Sequence, residues 1–467
     1  MALQFIESEK RKPKLCVNNH IYYKYKVVDE TTYWKCEKFQ ITKCKARMST
    51  QGERIVSHGK KEHNHVADVA KVECDKILNN IKDTARNTRD SPHVIVSDAS
   101  VGVSLAIAGR LPSVDCMKKT IRNVRAKENP GPVLPLHRRD IVFPELYTLT
   151  ENQEIFLMFD SGPQDDRILI FSTRRNLQLL ARSSHWYADG TFKVSPPLFA
   201  QLYTIHGLRH SNSIPLVYAL LPDKTHNTYV RLLGQIKQLE ATVNPETILI
   251  DYESAIIGAI ESEFPGVVVR GCFFHFCQCI FRSIQSNGLQ QRYETDADFA
   301  LTMRYLSALA FVPLNELVQS FDLLLDNNVF PPEAQPVIDY FEDTWIGRPD
   351  RRLRRRAPRF AHVMWNCYNS VLENLPKTNN ALEGWHRGFQ EMVGGNHPNI
   401  WKFVNALKKE QSLNELRIEQ YHSGQQPPAS RKKYRDCAER IRRLILDFDP
   451  ANDVVPYLRG IAHNITY

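Results

Sequence analysis

The chain has 467 residues, 42% of them hydrophobic, which suffices for two to four domains with real cores and excludes a disordered polymer. The formal net charge of +9 is unevenly spread: residues 1–65 hold 14 Lys and Arg against 7 Asp and Glu, so a basic head precedes a nearly neutral body. Such a head implies a polyanionic partner, and no run nears the roughly 18 apolar residues of a membrane span. The opening MALQFIESEKRKPK reaches charge by Glu7 without a long apolar stretch, so no secretory signal is expected. Ten cysteines in that setting point to a reducing compartment and to thiol or metal roles. EKRKPK and RRLRRR read equally as nuclear import signals or as phosphate contacts, and the nucleus is the expected location.

From Tyr22, YYKYKVVDETTYWKCEKFQITKCKARM alternates aromatic or aliphatic with polar residues at the strand period of two, with DETT as a hairpin turn. Cys36 and Cys44 end one strand and begin the next. After a third strand, ERIVSHG, the run KEHNH sets His63 and His65 two apart. Two thiolates and two imidazoles are the donor set of a tetrahedral structural Zn²⁺, with His58 as the rival ligand. A domain of about 50 residues gains from a metal the stability its core lacks. The spacing Cys-x7-Cys-x18-His-x-His differs from that of the helical zinc finger. With YWKC (Tyr33–Cys36) and the closing HNH, residues 14–66 resemble a FLYWCH-type zinc finger, a small β-rich module, here bounded at 1–70. Lys43, Lys45 and Arg47 on its sheet would meet DNA phosphates, and a strand edge would enter the major groove.

Residues 73–130 form a helical connector. CDKILNNIKDTARN carries an apolar stripe, SPHVIVSDA breaks it, and two further helices join at GRLPS, the second capped by Ser113. Lys118, Lys119, Arg122 and Arg125 give that second helix a basic face, open either to DNA or simply to solvent. NPGPVLPLH marks a boundary near 130–137.

From residue 140 the pattern turns α/β. ILIFSTRRNLQLLARSS is a strand and a helix. HWYADGTF, FAQLYTIHGL and SIPLVYALLP are three strands with short connections. NTYVRLLGQIKQLEA (a helix), ETILIDYES (a strand), SAIIGAIESEF (a helix) and GVVVRGCFFHF (a strand) follow. The series predicts a mixed sheet with flanking helices, with functional residues at strand ends. Asp189 lies in the first strand of the meander and Asp251 ends the fourth. If those strands are neighbours, the two carboxylates face each other and repel unless a divalent cation intervenes. Oxygen ligands select Mg²⁺ or Mn²⁺, ions that activate a hydroxyl nucleophile in phosphoryl transfer. Glu383, in KTNNALEGWHRGF, offers a third carboxylate on a helix. Each acid also has a plainer reading: Asp189 in an Asp-Gly turn, Asp251 as a helix cap, and Glu383 in the capping box Asn380-x-x-Glu383. Cys277 and Cys279 read mostly as core. A helical insertion spans 280–376; near its end RPDRRLRRRAPRF carries Arg351, Arg352, Arg354, Arg355 and Arg356, whose guanidinium forks suit phosphates. SRKKYRDCAERIRRLILDF lies in a basic helical tail over 411–467.

ADGTF, LIDYESA, GCFFHF and TNNALEGWHRGF resemble the transposase domain of Mutator-like elements, closely over about 180–400. The resemblance implies a ribonuclease-H-like fold, its core split into 140–279 and 377–410. It also implies an Asp-Asp-Glu triad of Asp189, Asp251 and Glu383 holding catalytic Mg²⁺ or Mn²⁺. Cys272 and His275 match the family's Cys-x-x-His element and either orient the site or touch the DNA flank. The expected function is a transposase that cuts transposon ends and joins 3′-hydroxyls to target duplex DNA, acting as a homo-oligomer. The alternatives are a domesticated, non-cleaving DNA-binding regulator and, less in keeping with the finger and insertion, a nuclease acting on RNA–DNA hybrids.

Overall fold

The computed structural model describes residues 3–7, 12–88, 90–128, 132–209, 212–352, 354–426, 431–449, 451 and 453–465. Parts of the EKRKPK run and of the boundary loop at 129–131 lie outside these. The chain divides into two compact units, residues 1–132 and 133–467.

The first unit begins with a six-stranded antiparallel meander in sequence order: β1 (Gln4–Glu7), β2 (Pro13–Val17), β3 (His20–Val28), β4 (Thr31–Cys36), β5 (Arg47–Gln51) and β6 (Arg54–His58). Tyr22 pairs with Cys36 and Trp34 with Met48, so alternation turns Leu15, Tyr22, Trp34 and Met48 onto one small core; Cys44, expected to begin a strand, joins it from the loop between β4 and β5. The expected connector is not a separate body. Helix α1 (Val69–Asn87) packs Val72 against Ile6, Cys16 and Ile21 of the sheet. The stretch SPHVIVSDA is itself a helix, α2 (Pro92–Ser100), because Ser91 caps it and Pro92 fits its first turn. Of the two helices expected around GRLPS, the first is a single turn, α3 (Leu105–Ala108). The second is α4 (Val114–Glu128), where Ser113 Oγ accepts from Cys116 N at 3.3 Å. Ile81, Ile95, Val96, Met117 and Ile121 form the helical core.

The second unit is a seven-stranded mixed sheet in the order β13-β12-β9-β10-β11-β8-β7. Strands β9 (His185–Thr191), β10 (Gln201–Arg209) and β11 (Asn212–Leu221) form the antiparallel meander; β12 (Thr247–Ile250) runs parallel to β9, and β13 (Val268–Gly271) parallel to β12. β8 (Leu169–Phe171) and β7 (Leu157–Asp160), a strand the sequence pattern did not disclose, extend the far edge. Alternation gives the sheet two apolar faces. Trp186, Ala188, Tyr203 and Ile205 meet α5 (Arg174–Ala181), α6 (His226–Leu239) and α7 (Ser254–Glu263). Leu202, Tyr218, Leu220 and Phe171 meet α15 (Asn380–Val393) and α16 (Ile400–His422).

The expected strand GVVVRGCFFHF ends at Gly271, and its second half is helix α8 (Phe273–Ser286). Buried Phe273, Phe276, Cys277, Ile280 and Ile284 have helical spacing, which a strand would have split between two faces. Gly271 is required there: a Cβ would stand 2.3 Å from the Tyr252 ring. The insertion continues through α9 (Gln290–Thr295), α10 (Ala297–Ala308), α11 (Leu317–Asp326), α12 (Gln335–Phe341), α13 (His362–Trp365) and α14 (Tyr368–Leu372). Two boundaries differ from the sequence reading. The break expected at residue 411 falls inside α16, one continuous helix. The basic tail is no appendage: α17 (Lys432–Leu446) and α18 (Val454–Ala462) bury Ile441, Ile445, Leu458 and Ile461 in the main core, where α18 packs on α10.

Candidate metal centres and nucleic-acid contacts

In the first unit the end of β4, the loop after it and the chain beyond β6 bring four donors together. Cys36, Cys44, His63 and His65 each offer one atom, and all four atoms lie within 4.8 Å of one another. Cys36 Sγ is 3.2 Å from His65 Nε2, Cys44 Sγ is 3.4 Å from His63 Nδ1, and the two imidazole nitrogens are 3.3 Å apart. A tetrahedron with ligand bonds of about 2.0–2.3 Å has edges of roughly 3.3–3.8 Å, so the donor set fits zinc. Burial pushes the Cys36 thiol up to about 11 and holds His63 down near 4, so Cys36 must give up its proton to bind an ion while His63 is neutral and ready to ligate. His58 is exposed on β6 and stands outside the cluster. Two supporting residues escaped the sequence reading. Tyr22 Oη meets His63 Nε2 at 2.7 Å, and the His20 ring stacks on His63 with centroids 3.6 Å apart. Both lie in the aromatic run YYKYK or just before it, where core packing is the simpler inference.

In the second unit Asp189 sits near the end of β9, and Asp251 follows β12, its parallel neighbour. Opposite them stands Asn379, the residue preceding α15. Asn379 Nδ2 donates to Asp251 Oδ1 at 3.2 Å and to Asp189 Oδ2 at 3.5 Å. The expected capping box is absent: α15 begins at Asn380, and its cap residue Asn379 sends its side chain to the carboxylates rather than to the helix. Cys272 is fully buried, and its thiol donates to Asn379 Oδ1 at 3.0 Å. His275 Nδ1 lies 2.7 Å from Asp251 Oδ1, a close ion-pair contact without the alignment of a hydrogen bond. His386, one turn beyond Glu383, places Nδ1 3.6 Å from Asp189 Oδ2 and Nε2 3.5 Å from Thr204 Oγ1.

Burial, then the charge of Asp251, pushes Asp189 up to about 7, with Glu383 adding the smallest push. Burial opposes charge on His275, but Asp251 and Cys272 outweigh it and lift the imidazole to about 10. Burial holds His386 near 4, hence neutral. Asp189 is largely buried while Asp251 is about a third exposed, so the pair opens to solvent on one side. Glu383 is half-buried in the first turn of α15. Among the described residues the finger cluster alone has three or more donors within 4.8 Å; the three carboxylates are not drawn that close. Their all-oxygen chemistry suits a hard divalent cation, which Asp189 and Asp251 would hold from two adjacent strands. Asn379 and His386 escaped the sequence reading, although both lie in the quoted TNNALEGWHRGF.

The basic residues fall into two groups. Lys43, Lys45, Arg122, Arg351, Arg352, Arg354 and Arg356 are exposed. Arg47 is half-buried, its guanidinium 4.8 Å from the Phe39 ring centre. The loop holding the arginine run is fixed by Asp350 Oδ1, which accepts from Arg352 N and Arg354 N at 2.7 and 3.0 Å. Arg125 and Arg355 are turned inward. Arg125 donates to the carbonyls of Ala85, Thr88 and Asp90 at 2.8–3.1 Å, tying α4 to the end of α1. Arg355 donates to Glu342, to the Gly347 carbonyl and to Asp322, an internal knot rather than a phosphate fork.

Two family models match the chain. The FLYWCH zinc finger domain covers residues 5–65, and the MULE transposase domain covers residues 185–279. The second match takes in Asp189, Asp251, Cys272 and His275 and stops short of Asn379 and Glu383. No curated protein matches the chain.

Proposed function

We propose that this chain, which carries a FLYWCH zinc finger domain and a MULE transposase domain, is a DNA transposase that cleaves transposon ends and transfers their strands to target duplex DNA. One observation carries the proposal: Asp189 and Asp251, from neighbouring parallel strands, converge on a single amide at the start of the helix bearing Glu383. An antiparallel meander continued beyond its first strand by two strands parallel to it is the order expected of a ribonuclease-H-like sheet, which supports the same reading.

Mg²⁺ or Mn²⁺ at these carboxylates would supply activation of the attacking hydroxyl and stabilisation of the leaving oxygen. The remaining work belongs to the chain. Asp189 and Asp251 fix the donor oxygens at the ends of two hydrogen-bonded strands. Glu383 is the third acid, in the first turn of α15. His275 orients Asp251, and Cys272 orients Asn379. Lys43, Lys45, Arg47 and Arg122 in the first unit, and Arg351, Arg352, Arg354 and Arg356 in the second, would meet phosphates, so affinity should fall steeply with salt. The zinc-loaded finger would read the terminal repeats, a homo-oligomer would pair the ends, and the work would take place in the nucleus.

One observation favours the non-cleaving, DNA-binding alternative: Asp189, Asp251 and Glu383 are not drawn together within 4.8 Å of one another. Strand transfer on end-bearing duplex with Mg²⁺ or Mn²⁺ separates the two readings. Wild-type product that disappears in Asp251→Ala supports the transposase. Equal product from both proteins, or none from either with DNA binding intact, overturns it.

A further inference from the structure

The amide nitrogen of Asn379 occupies the place where two carboxylates meet. Asn379 is fully buried, and its orientation is locked. Its Oδ1 accepts the Cys272 thiol at 3.0 Å, its own backbone N–H points at Cys272 Sγ at 3.4 Å, and Phe273 N donates to Lys377 O at 2.9 Å, joining the starts of α8 and α15. With its oxygen committed to the thiol, only the NH2 group faces Asp189 and Asp251.

An NH2 group between two carboxylates does part of what a cation does: it offers positive hydrogens to oxygens that otherwise repel each other. A lone pair engaged by one of its hydrogens is not open to an ion, so at Asp251 Oδ1 and Asp189 Oδ2 the amide and an ion compete. From this geometry we infer that Asn379 is a built-in stand-in for the cation: it holds the two aspartates in the metal-free centre and must yield at least one of them when the ion enters. Asn379 is thus a positioning residue, and Cys272 sets the direction it faces. The inference rests on the metal-dependent reading above.

By linkage, a contact made only in the metal-free centre weakens metal binding by the stabilisation it gives that state. The test titrates Mn²⁺ into zinc-loaded, full-length protein, with free Mn²⁺ read by electron paramagnetic resonance and folding checked by thermal melts without Mn²⁺. Asn379→Ala is expected to bind Mn²⁺ on the order of tenfold more tightly than wild type, the worth of about one charge-assisted hydrogen bond. Cys272→Ala, which frees the amide to turn its oxygen outward, shifts affinity the same way by less and serves if Asn379→Ala does not fold. Cys272→Ser keeps a donor and stays near wild type. Weaker or unchanged binding in both Asn379→Ala and Cys272→Ala overturns the inference, since an amide that stays in place to orient the carboxylates would give that result. Asp189→Ala and Asp251→Ala must lose Mn²⁺ binding; if they bind like wild type, the metal-dependent reading fails, and the inference with it.

Discussion

The Tyr22 hydroxyl lies 2.7 Å from His63 Nε2, while the other imidazole nitrogen of His63 faces Cys44 Sγ at 3.4 Å. A His63 that binds through Nδ1 carries its proton on Nε2, and the tyrosine oxygen accepts it. Such outer partners fix the tautomer and ring angle of a ligand and typically contribute 10- to 100-fold in metal affinity. Tyr22→Phe keeps the buried ring and removes the acceptor. Its zinc affinity, read by competition with a chromogenic chelator, should fall by roughly that factor; an unchanged affinity assigns Tyr22 to the core alone.

Removing zinc should unfold the finger sheet while sparing the second unit. The sheet's own apolar core is small, centred on Leu15, Tyr22, Trp34 and Met48, and an ion would tie together the four donors beside it. Hydrogen exchange after chelation should rise across residues 12–58 and stay protected in β9–β12. Continued protection of the finger without metal removes the structural-zinc claim.

Asp189 should make the Mg²⁺-free protein less stable as pH rises. Its folded value of about 7 lies above the unfolded carboxyl at 3.8. Between about pH 4 and 7 the folded chain therefore keeps a proton that the unfolded chain has released. The stabilisation is complete below the unfolded value and is lost as pH rises through 7. Asp189→Asn has no proton to lose, so its stability relative to wild type, from urea melts, should increase between pH 5 and pH 8. A difference that is flat with pH would mean that Asp189 ionises normally.

Two arginines on one helix should behave oppositely. Arg125 holds three backbone carbonyls of the neighbouring helix end, so Arg125→Ala should cost about 1–3 kcal/mol of stability. Arg122 is exposed, so Arg122→Ala should leave the melting curve within about 0.5 kcal/mol and lower the salt dependence of DNA binding by about one contact. The pair of melts and salt titrations distinguishes a structural cation from a phosphate contact.

His275 contacts Asp251 at 2.7 Å, and His275→Ala should reduce strand transfer about 10- to 100-fold without changing its requirement for Asp251. A variant as active as wild type would leave the histidine with packing alone.

Local chemistry was readable from residue types and spacing. Four zinc donors at Cys-x7-Cys-x18-His-x-His, period-two strands in the finger and body, and acids at strand ends all follow from short-range pattern, because side-chain direction alternates along a strand whatever surrounds it. Pattern failed where helical and extended packing use the same apolar residues. CFFHF read as strand and folded as helix, and SPHVIVSDA read as a break and formed α2. β7 (LMFD) showed no period-two alternation, and all four of its residues are half-buried.

Proximity across long stretches of chain was beyond that reach. Asn379 lies 190 residues from Asp189, 128 from Asp251 and 107 from Cys272, and its amide faces the acids because a buried thiol takes its oxygen. The same holds for Arg125 and Arg355, which look like their exposed neighbours in sequence and are turned inward by carbonyls and carboxylates from other segments. Residue type sets which bonds a side chain is able to make. Packing chooses among them, because a buried polar atom takes whatever partner the fold brings within about 3 Å rather than remain unpaired.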